Sequence, residues 1–295
     1  MWRRVAAASS ATVGCVATLA CVTQCSGKDI SDTDAMHDYT LALHDRTKKA
    51  LYSRFPNRII LVRHGESEAN ETHNAILATK PDPRVELTAK GVAQARAAGK
   101  EIKEIVGDEG CCFIVSPFTR TLQTCANIIS SGGFSPEQSF VREEPRLREQ
   151  EFGMLQDKDQ MRLCRAEKAK IGSFFYRWPR GESGCDVYDR VSGAIETLHR
   201  HFKRHHSYPL DNVVIVSHGL TNRLFLMRWF HWTTDEFEGL WNQDNASFFV
   251  MEKQANGKYK LVDEGGRAAE LVCGWNGFAC PHESCATYAL PVQRR

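Results

Sequence analysis

Two histidines in this chain each stand directly before a glycine, in Arg63-His64-Gly65 and Ser217-His218-Gly219. Each follows a short apolar, β-branched run, Ile-Ile-Leu-Val at 59–62 and Val-Val-Ile-Val at 213–216. A third such run, Cys-Phe-Ile-Val at 112–115, leads into Ser116-Pro117-Phe118-Thr119-Arg120. Runs of this kind read as buried strands, and in open α/β sheets the ligand crevice lies beyond the carboxyl ends of the strands. Two histidines and two arginines therefore arrive at one sheet edge. The set suits an anion whose charge is spread over several oxygens. Arg63 and Arg120 can hold a phosphoryl group by bidentate, charge-assisted hydrogen bonds. A neutral imidazole at the centre, His64, is a competent nucleophile. His218 on the other flank can donate to the same oxygens as charge develops. The glycine after each histidine lets backbone N–H groups approach the anion closely. A lone histidine after a strand is ordinarily structural and a lone arginine ordinarily a surface charge. Three strand ends carrying Arg-His-Gly, Ser-Pro-x-x-Arg and Ser-His-Gly in one chain are not explained that way.

Such a site needs strands held side by side. The pattern predicts strands at 58–62, 112–116, 213–217 and 247–251. Between them fall predicted helices at 88–106, 117–129, 182–206 and 220–229. Thr88 is the expected N-cap of the first, with Ala93, Ala97 and Ile102 facing inward. Pro117 is expected in the first turn of the second, where its missing N–H costs nothing. Alternating strands and helices predict an α/β sandwich around a mostly parallel sheet. Helix N-termini after Gly65, Pro117 and Gly219 would add favourable dipoles. Gly181-Glu182-Ser183 reads as a helix start, with Glu182 secondarily a substrate-side residue. The helical spacing of Phe225, Trp229, Phe230 and Trp232 reads as core packing rather than a ligand wall.

Of 295 residues, 38 are basic and 36 acidic, for a net charge of +2. That balance argues against nucleic acid as a partner, so positive charge serving an anion must be local. The 11 cysteines are odd in number and scattered, which argues against a disulfide framework and for a reducing, intracellular compartment. Cys273, Cys280, His282 and Cys285 lack the paired spacing of structural zinc, and no metal is expected there. Residues 1–30 carry Arg3 and Arg4 but no acid before Asp29; they read as a targeting peptide or a disordered extension, with cytoplasm or mitochondrion as the expected location. A polar segment, 31–56, carries a weak helical pattern at 39–51. The catalytic domain is expected over 57–264 and a tail over 265–295.

The motifs also carry a resemblance. Arg63-His64-Gly65-Glu66-Ser67 with Asn70, Leu87-Thr88-x-x-Gly91, Ser116-Pro117-x-x-Arg120-x-x-x-Thr124 and Ser217-His218-Gly219 resemble the histidine phosphatase superfamily, in its phosphoglycerate mutase-like branch. The resemblance implies a three-layer αβα sandwich, a covalent phosphohistidine and no required metal or cofactor. It aligns His64 with the nucleophile, and Arg63, Asn70, Arg120 and His218 with the phosphate pocket, which the Gly219 backbone joins.

A leaving alkoxide must be protonated, so a general acid is required. Leu147-x-Glu149 followed by Phe152-Gly153 is similar to the family's acid motif and aligns Glu149 with the proton donor; Glu144 and Glu151 are its rivals nearby. Mutases of the family carry a basic insertion after this motif. Here the corresponding stretch, 156–178, is short, although it holds Arg162, Arg165, Lys168, Lys170 and Arg177. The Leu-Arg-Glu-Gln-Glu-Phe-Gly form looks closer to broad-specificity acid phosphatases. The expectation is phosphomonoester hydrolysis, acting on a small phosphorylated substrate or a phosphoprotein. Mutase-type transfer between hydroxyls comes second, and an inactive phospho-ligand-binding relative third. The sequence specifies neither the substrate nor the oligomeric state.

Overall fold

The computed structural model describes residues 38, 40–43, 54–153, 158–204, 210–240 and 242–262. The chain divides into two units, 1–48 and 49–295. In the first, the described residues Asp38 and Thr40 to Leu43 are helical and exposed. The targeting-peptide reading and the tail cysteines fall outside the described residues.

Among the described residues the second unit holds six strands: β1 (Arg58–Arg63), β2 (Cys111–Val115), β3 (Ser139–Glu143), β4 (Asn212–Ser217), β5 (Phe248–Lys253) and β6 (Tyr259–Val262). Their order is β3-β2-β4-β1-β5-β6. The first four are mutually parallel; β5 runs antiparallel to β1 and β6 to β5. The helices are α1 (Glu68–Glu71), α2 (Ala89–Val106), α3 (Thr119–Gly132), α4 (Lys158–Ile171), α5 (Gly184–Phe202), α6 (Gly219–Phe230) and α7 (Thr234–Glu238).

Successive side chains of a strand point to opposite faces, and here each face meets its own helices. Ile59, Leu61, Val213 and Ile215 pack with Val191, Ile195 and Leu224 of α5 and α6. Ile60, Val62, Val214 and Val216 pack with Ile102, Cys125 and Ile128 of α2 and α3. The result is an α/β, three-layer αβα sandwich with a mostly parallel sheet. Central strands buried on both faces read as unbroken apolar runs, which is why β1, β2 and β4 stood out in the sequence.

Thr88 caps α2 by accepting from the Gly91 N–H at 3.0 Å. The inward face of α2 differs from expectation: Gly91, Ala95, Ala98, Gly99, Ile102 and Val106 are buried, while Ala93 and Ala97 are exposed. An Ala-rich helix offers little contrast between faces, and here the glycines decide. A Cβ on Gly99 would lie 2.5 Å from the Ile128 carbonyl oxygen, so Gly99 lets α3 approach. Pro117 precedes the cap of α3, Phe118, rather than entering the first turn. Just ahead of β1, Phe55 is buried in the core beside Phe202.

Candidate active site

The register of the parallel strands sets the site. Arg63 lies opposite Ser217 and Val115 opposite Val216, so β1, β4 and β2 end level with one another. His64 and His218 leave adjacent strands at that edge, their ring centroids 5.3 Å apart. The His64 backbone N–H donates to the Ser217 carbonyl at 3.0 Å, tying the two motifs together.

His64 is buried, and its Nδ1 lies 2.7 Å from the carbonyl oxygen of Gly65. A carbonyl only accepts, so Nδ1 carries the proton and Nε2 keeps its lone pair. Burial pushes the His64 pKa well below its ordinary value, and the charges of Arg120 and Arg63 push the same way. The ring is therefore a neutral imidazole. His218 is fully buried and also held neutral, first by burial and then by Arg120. Its Nε2 lies 2.8 Å from Ser116 Oγ, while its Nδ1 has no hydrogen-bond partner among the described residues and faces Glu149 Oε2 at 3.7 Å.

The two arginines are held from behind. Arg120 is 4% exposed; its Nη1 donates to the carboxylate of Asp82 at 2.8 Å and to the Asp82 carbonyl at 2.9 Å, leaving Nε and Nη2 for an anion. Its guanidinium lies over the Phe118 ring at 4.9 Å, and that ring stands edge-on to His218 at 5.2 Å. Arg63 donates through Nη1 to the Gln243 carbonyl, while its Nε is buried without a partner among the described residues. A Cβ on Gly219 would stand 3.6 Å from that Nε, so the start of α6 meets Arg63. Asn70 accepts at Oδ1 from the Ser67 N–H at 3.1 Å and from Asn245 Nδ2 at 3.3 Å, leaving its NH2 to donate.

Glycines allow the backbone to close up here. A Cβ on Gly65 would stand 2.4 Å from the Gly91 oxygen, and one on Gly91 would stand 2.0 Å from the Glu66 oxygen. The Gly65 N–H donates to Thr124 Oγ1 at 3.1 Å, and that hydroxyl donates to the Arg120 carbonyl at 2.7 Å. One threonine thus joins the loops that carry His64 and Arg120.

Glu149 is the acid that enters the site. Burial raises its pKa above the usual carboxylate range against the opposing pull of Arg120, so it is disposed to hold a proton. The rivals lie elsewhere. Glu144 is paired with Arg146 at 2.7 Å, and Glu151 is exposed. Glu182 is half of an ion-pair cluster with Arg148 and Arg190, and Ser183 with Asp186 forms the capping box that starts α5. Of the five basic residues the sequence singled out after the acid motif, Lys168 is half-buried, its Nζ 5.7 Å from the Trp178 ring centroid, while Arg162, Arg165, Lys170 and Arg177 are exposed. Phe225 is buried, and Trp229, Phe230 and Trp232 pack against the core.

Ligand atoms of His64, Glu149 and His218 lie within 4.8 Å of one another, a spacing a metal ion could use. The surrounding charge disfavours a cation, because Arg63 and Arg120 already oppose protonation of His64. Burying a polar group without a partner costs about 1–3 kcal/mol, and two such groups, Arg63 Nε and His218 Nδ1, belong to this one pocket. Both could be satisfied by one oxyanion placed between them.

Several contributors had no signature in the sequence. Asp82, Phe118, Arg190 and the turn at 242–246 all support named site residues. That turn supplies Gln243 to Arg63 and Asn245 to both Asn70 and the His64 carbonyl, the latter at 3.2 Å. Nothing in Asn-Gln-Asp-Asn-Ala distinguishes it from an ordinary polar loop.

Comparison with known proteins places the chain in a family. The model of the histidine phosphatase superfamily (branch 1) matches residues 59–263. The chain is 46% identical over 221 residues to a phosphoglycerate mutase-like protein of Arabidopsis thaliana, covering 70% of this chain and 78% of that one. It is 30% identical over 286 residues to a broad-range acid phosphatase of Saccharomyces cerevisiae, covering 67% and 85%. Among solved structures, a mycobacterial glucosyl-3-phosphoglycerate phosphatase superposes with a TM-score of 0.55 at 21% identity, covering 70% and 97%; it shares the fold.

Proposed function

The chain belongs to the histidine phosphatase superfamily, branch 1, and we propose that it hydrolyses phosphomonoesters through a phosphohistidine formed on His64. The observation that carries this reading is the contact of His64 Nδ1 with the Gly65 carbonyl at 2.7 Å. The Nδ1–H is spent on that carbonyl, so Nε2 is a lone pair inside a pocket of guanidinium groups.

In the first step, Nε2 attacks phosphorus in line with the ester oxygen. The P–N bond forms as the P–O bond breaks, and Glu149 delivers its proton to the departing alkoxide. Arg63, Arg120, His218 and the amide of Asn70 bear the charge on the equatorial oxygens, and the start of α6 at Gly219 adds backbone N–H groups. In the second step, water attacks phosphorus and loses a proton to the Glu149 carboxylate. The P–N bond breaks, and its electron pair returns to Nε2.

The names of the relatives, a broad-range acid phosphatase and a phosphoglycerate mutase-like protein, support the class and leave the acceptor open. Lys168, half-buried on α4, favours a second reading in which a substrate hydroxyl with a neighbouring anion replaces water. The test is phosphate release from an aryl phosphate by wild type and His64→Ala, with acid-quench trapping of phosphoenzyme. Turnover and an acid-labile phosphoenzyme in wild type alone are expected. Failure of wild type to release phosphate or form that species rejects the proposal. Interconversion of 3- and 2-phosphoglycerate at a rate exceeding hydrolysis selects the mutase reading.

A further inference from the structure

We infer that Arg190, on α5, is the positioning residue for the proton donor. It acts on the backbone that carries Glu149, not on the reacting atoms, and the inference rests on Glu149 being the general acid. Between the short 3-10 turn Pro145–Leu147 and Gly153 the acid loop contains no described helix or strand. Its path therefore depends on what binds its carbonyl groups.

Arg190 binds three carbonyl groups at and before Glu149. Its Nη1 donates to the Arg146 carbonyl at 2.6 Å and the Arg148 carbonyl at 2.9 Å, and its Nη2 donates to the Glu149 carbonyl at 3.1 Å. The remaining donors go to Glu182: Nε to Oε1 and Nη2 to Oε2, each at 2.9 Å. A guanidinium has five N–H donors, and all five are engaged. The Leu147 carbonyl, skipped by Arg190, accepts from Ser217 Oγ at 2.7 Å, directly beside His218. Thr221, in the first turn of α6, adds a second bond to the Arg148 carbonyl at 3.1 Å.

Glu182 closes the arrangement from the other side. It accepts from Arg148 Nη2 at 2.8 Å and from the Glu151 N–H at 3.0 Å, and its own carbonyl accepts from Gln150 Nε2 at 3.0 Å. The Arg190 side chain is only 10% exposed, so these bonds are sheltered from water. Residues on both sides of Glu149 are fixed to α5 and to β4, the strand that ends just before His218. The carboxyl is thereby held against the ring with which it must share a phosphoryl group. Lysine has neither the planar fork nor the donor number to reproduce this.

A misplaced acid and a lost fold are distinguished by the leaving group. General acid catalysis contributes about 10²–10⁴-fold and matters most when the leaving alkoxide is basic. We would measure kcat/KM on an alkyl phosphate and on p-nitrophenyl phosphate, together with inhibition by inorganic phosphate. Glu149→Gln should lose at least ten times more activity on the alkyl ester than on the aryl ester. If it does not, the general-acid reading fails, whatever Arg190 does. Given that pattern, Arg190→Lys should reproduce it at smaller amplitude, about tenfold more loss on the alkyl ester, with phosphate inhibition within twofold of wild type. Equal losses on both esters, or weakened phosphate binding, would overturn the inference. Glu182→Gln weakens the same grip from the opposite side. It should show the same selectivity, and it decides the matter if Arg190→Lys does not fold.

Discussion

Asp82 accepts two hydrogen bonds from the same nitrogen of Arg120, one through its carboxylate at 2.8 Å and one through its main-chain carbonyl at 2.9 Å. The contact spans the loop between β1 and α2 and the first turn of α3, so a residue outside every motif fixes the direction of a motif arginine.

Asp82→Ala removes the carboxylate and leaves the carbonyl bond. A hydrogen bond to a charged group contributes about 1.5–3 kcal/mol, and the expected result is roughly a tenfold or greater fall in kcat/KM, carried mainly by KM. Inhibition by inorganic phosphate should weaken in parallel. An unchanged phosphate inhibition constant would mean that Arg120 keeps its place unaided.

The pH profile should separate the two key groups. His64 is neutral at every pH above its depressed pKa, so it does not limit activity in mildly acidic solution. In the proposed cycle Glu149 begins protonated, and burial raises its pKa. Activity should therefore be high on the acid side and fall as pH rises through the pKa of Glu149, above its ordinary value near 4.5. The substrate's own second ionisation near pH 6 affects wild type and Glu149→Gln equally. The ratio of wild-type to variant kcat/KM should decline with rising pH, and a flat ratio would remove Glu149 from the role.

The start of α5 offers a stability test away from the chemistry. Asp186 accepts from the Ser183 backbone N–H and hydroxyl, each at 2.7 Å, and these bonds with Arg177 hold its pKa down to about 2, from 3.8. A depressed carboxylate stabilises the fold above its unfolded pKa and loses that contribution as pH falls through the folded one. Asp186→Ala should cost about 1 kcal/mol at neutral pH, in the range of a lost helix cap. In urea titrations the gap between variant and wild type should narrow as pH falls from about 4 towards 2.

The parts legible in the sequence were those where one force dominates. β1, β2 and β4 are buried on both faces, and their uninterrupted apolar runs end in the residues that reach the pocket. Edge strand β3, Ser-Phe-Val-Arg-Glu, has no fully buried residue, and β6, Tyr-Lys-Leu-Val, has none either, so neither shows a core signal. Helix α4 turns few residues inward, with Leu163 at 62% and Ile171 at 55% exposed, which leaves little periodicity to detect. His64, His218, Arg63 and Arg120 were found because strand ends bring them together. Asp82, Arg190 and the turn at 242–246 were not, because their task is set by tertiary proximity alone.

The bond from Arg63 to the Gln243 carbonyl joins residues 180 positions apart. Chains emerge from the ribosome N-terminus first, at about 5–20 residues per second. His64, Arg120, Glu149 and His218 are therefore all synthesised before the turn that seats Arg63 and braces Asn70 exists. A nascent chain can carry every motif residue and still lack an assembled anion cradle for the second or more of translation that remains. If the proposed site binds phosphate, that competence should arrive late and together with β5, and its appearance would time-stamp completion of the sheet.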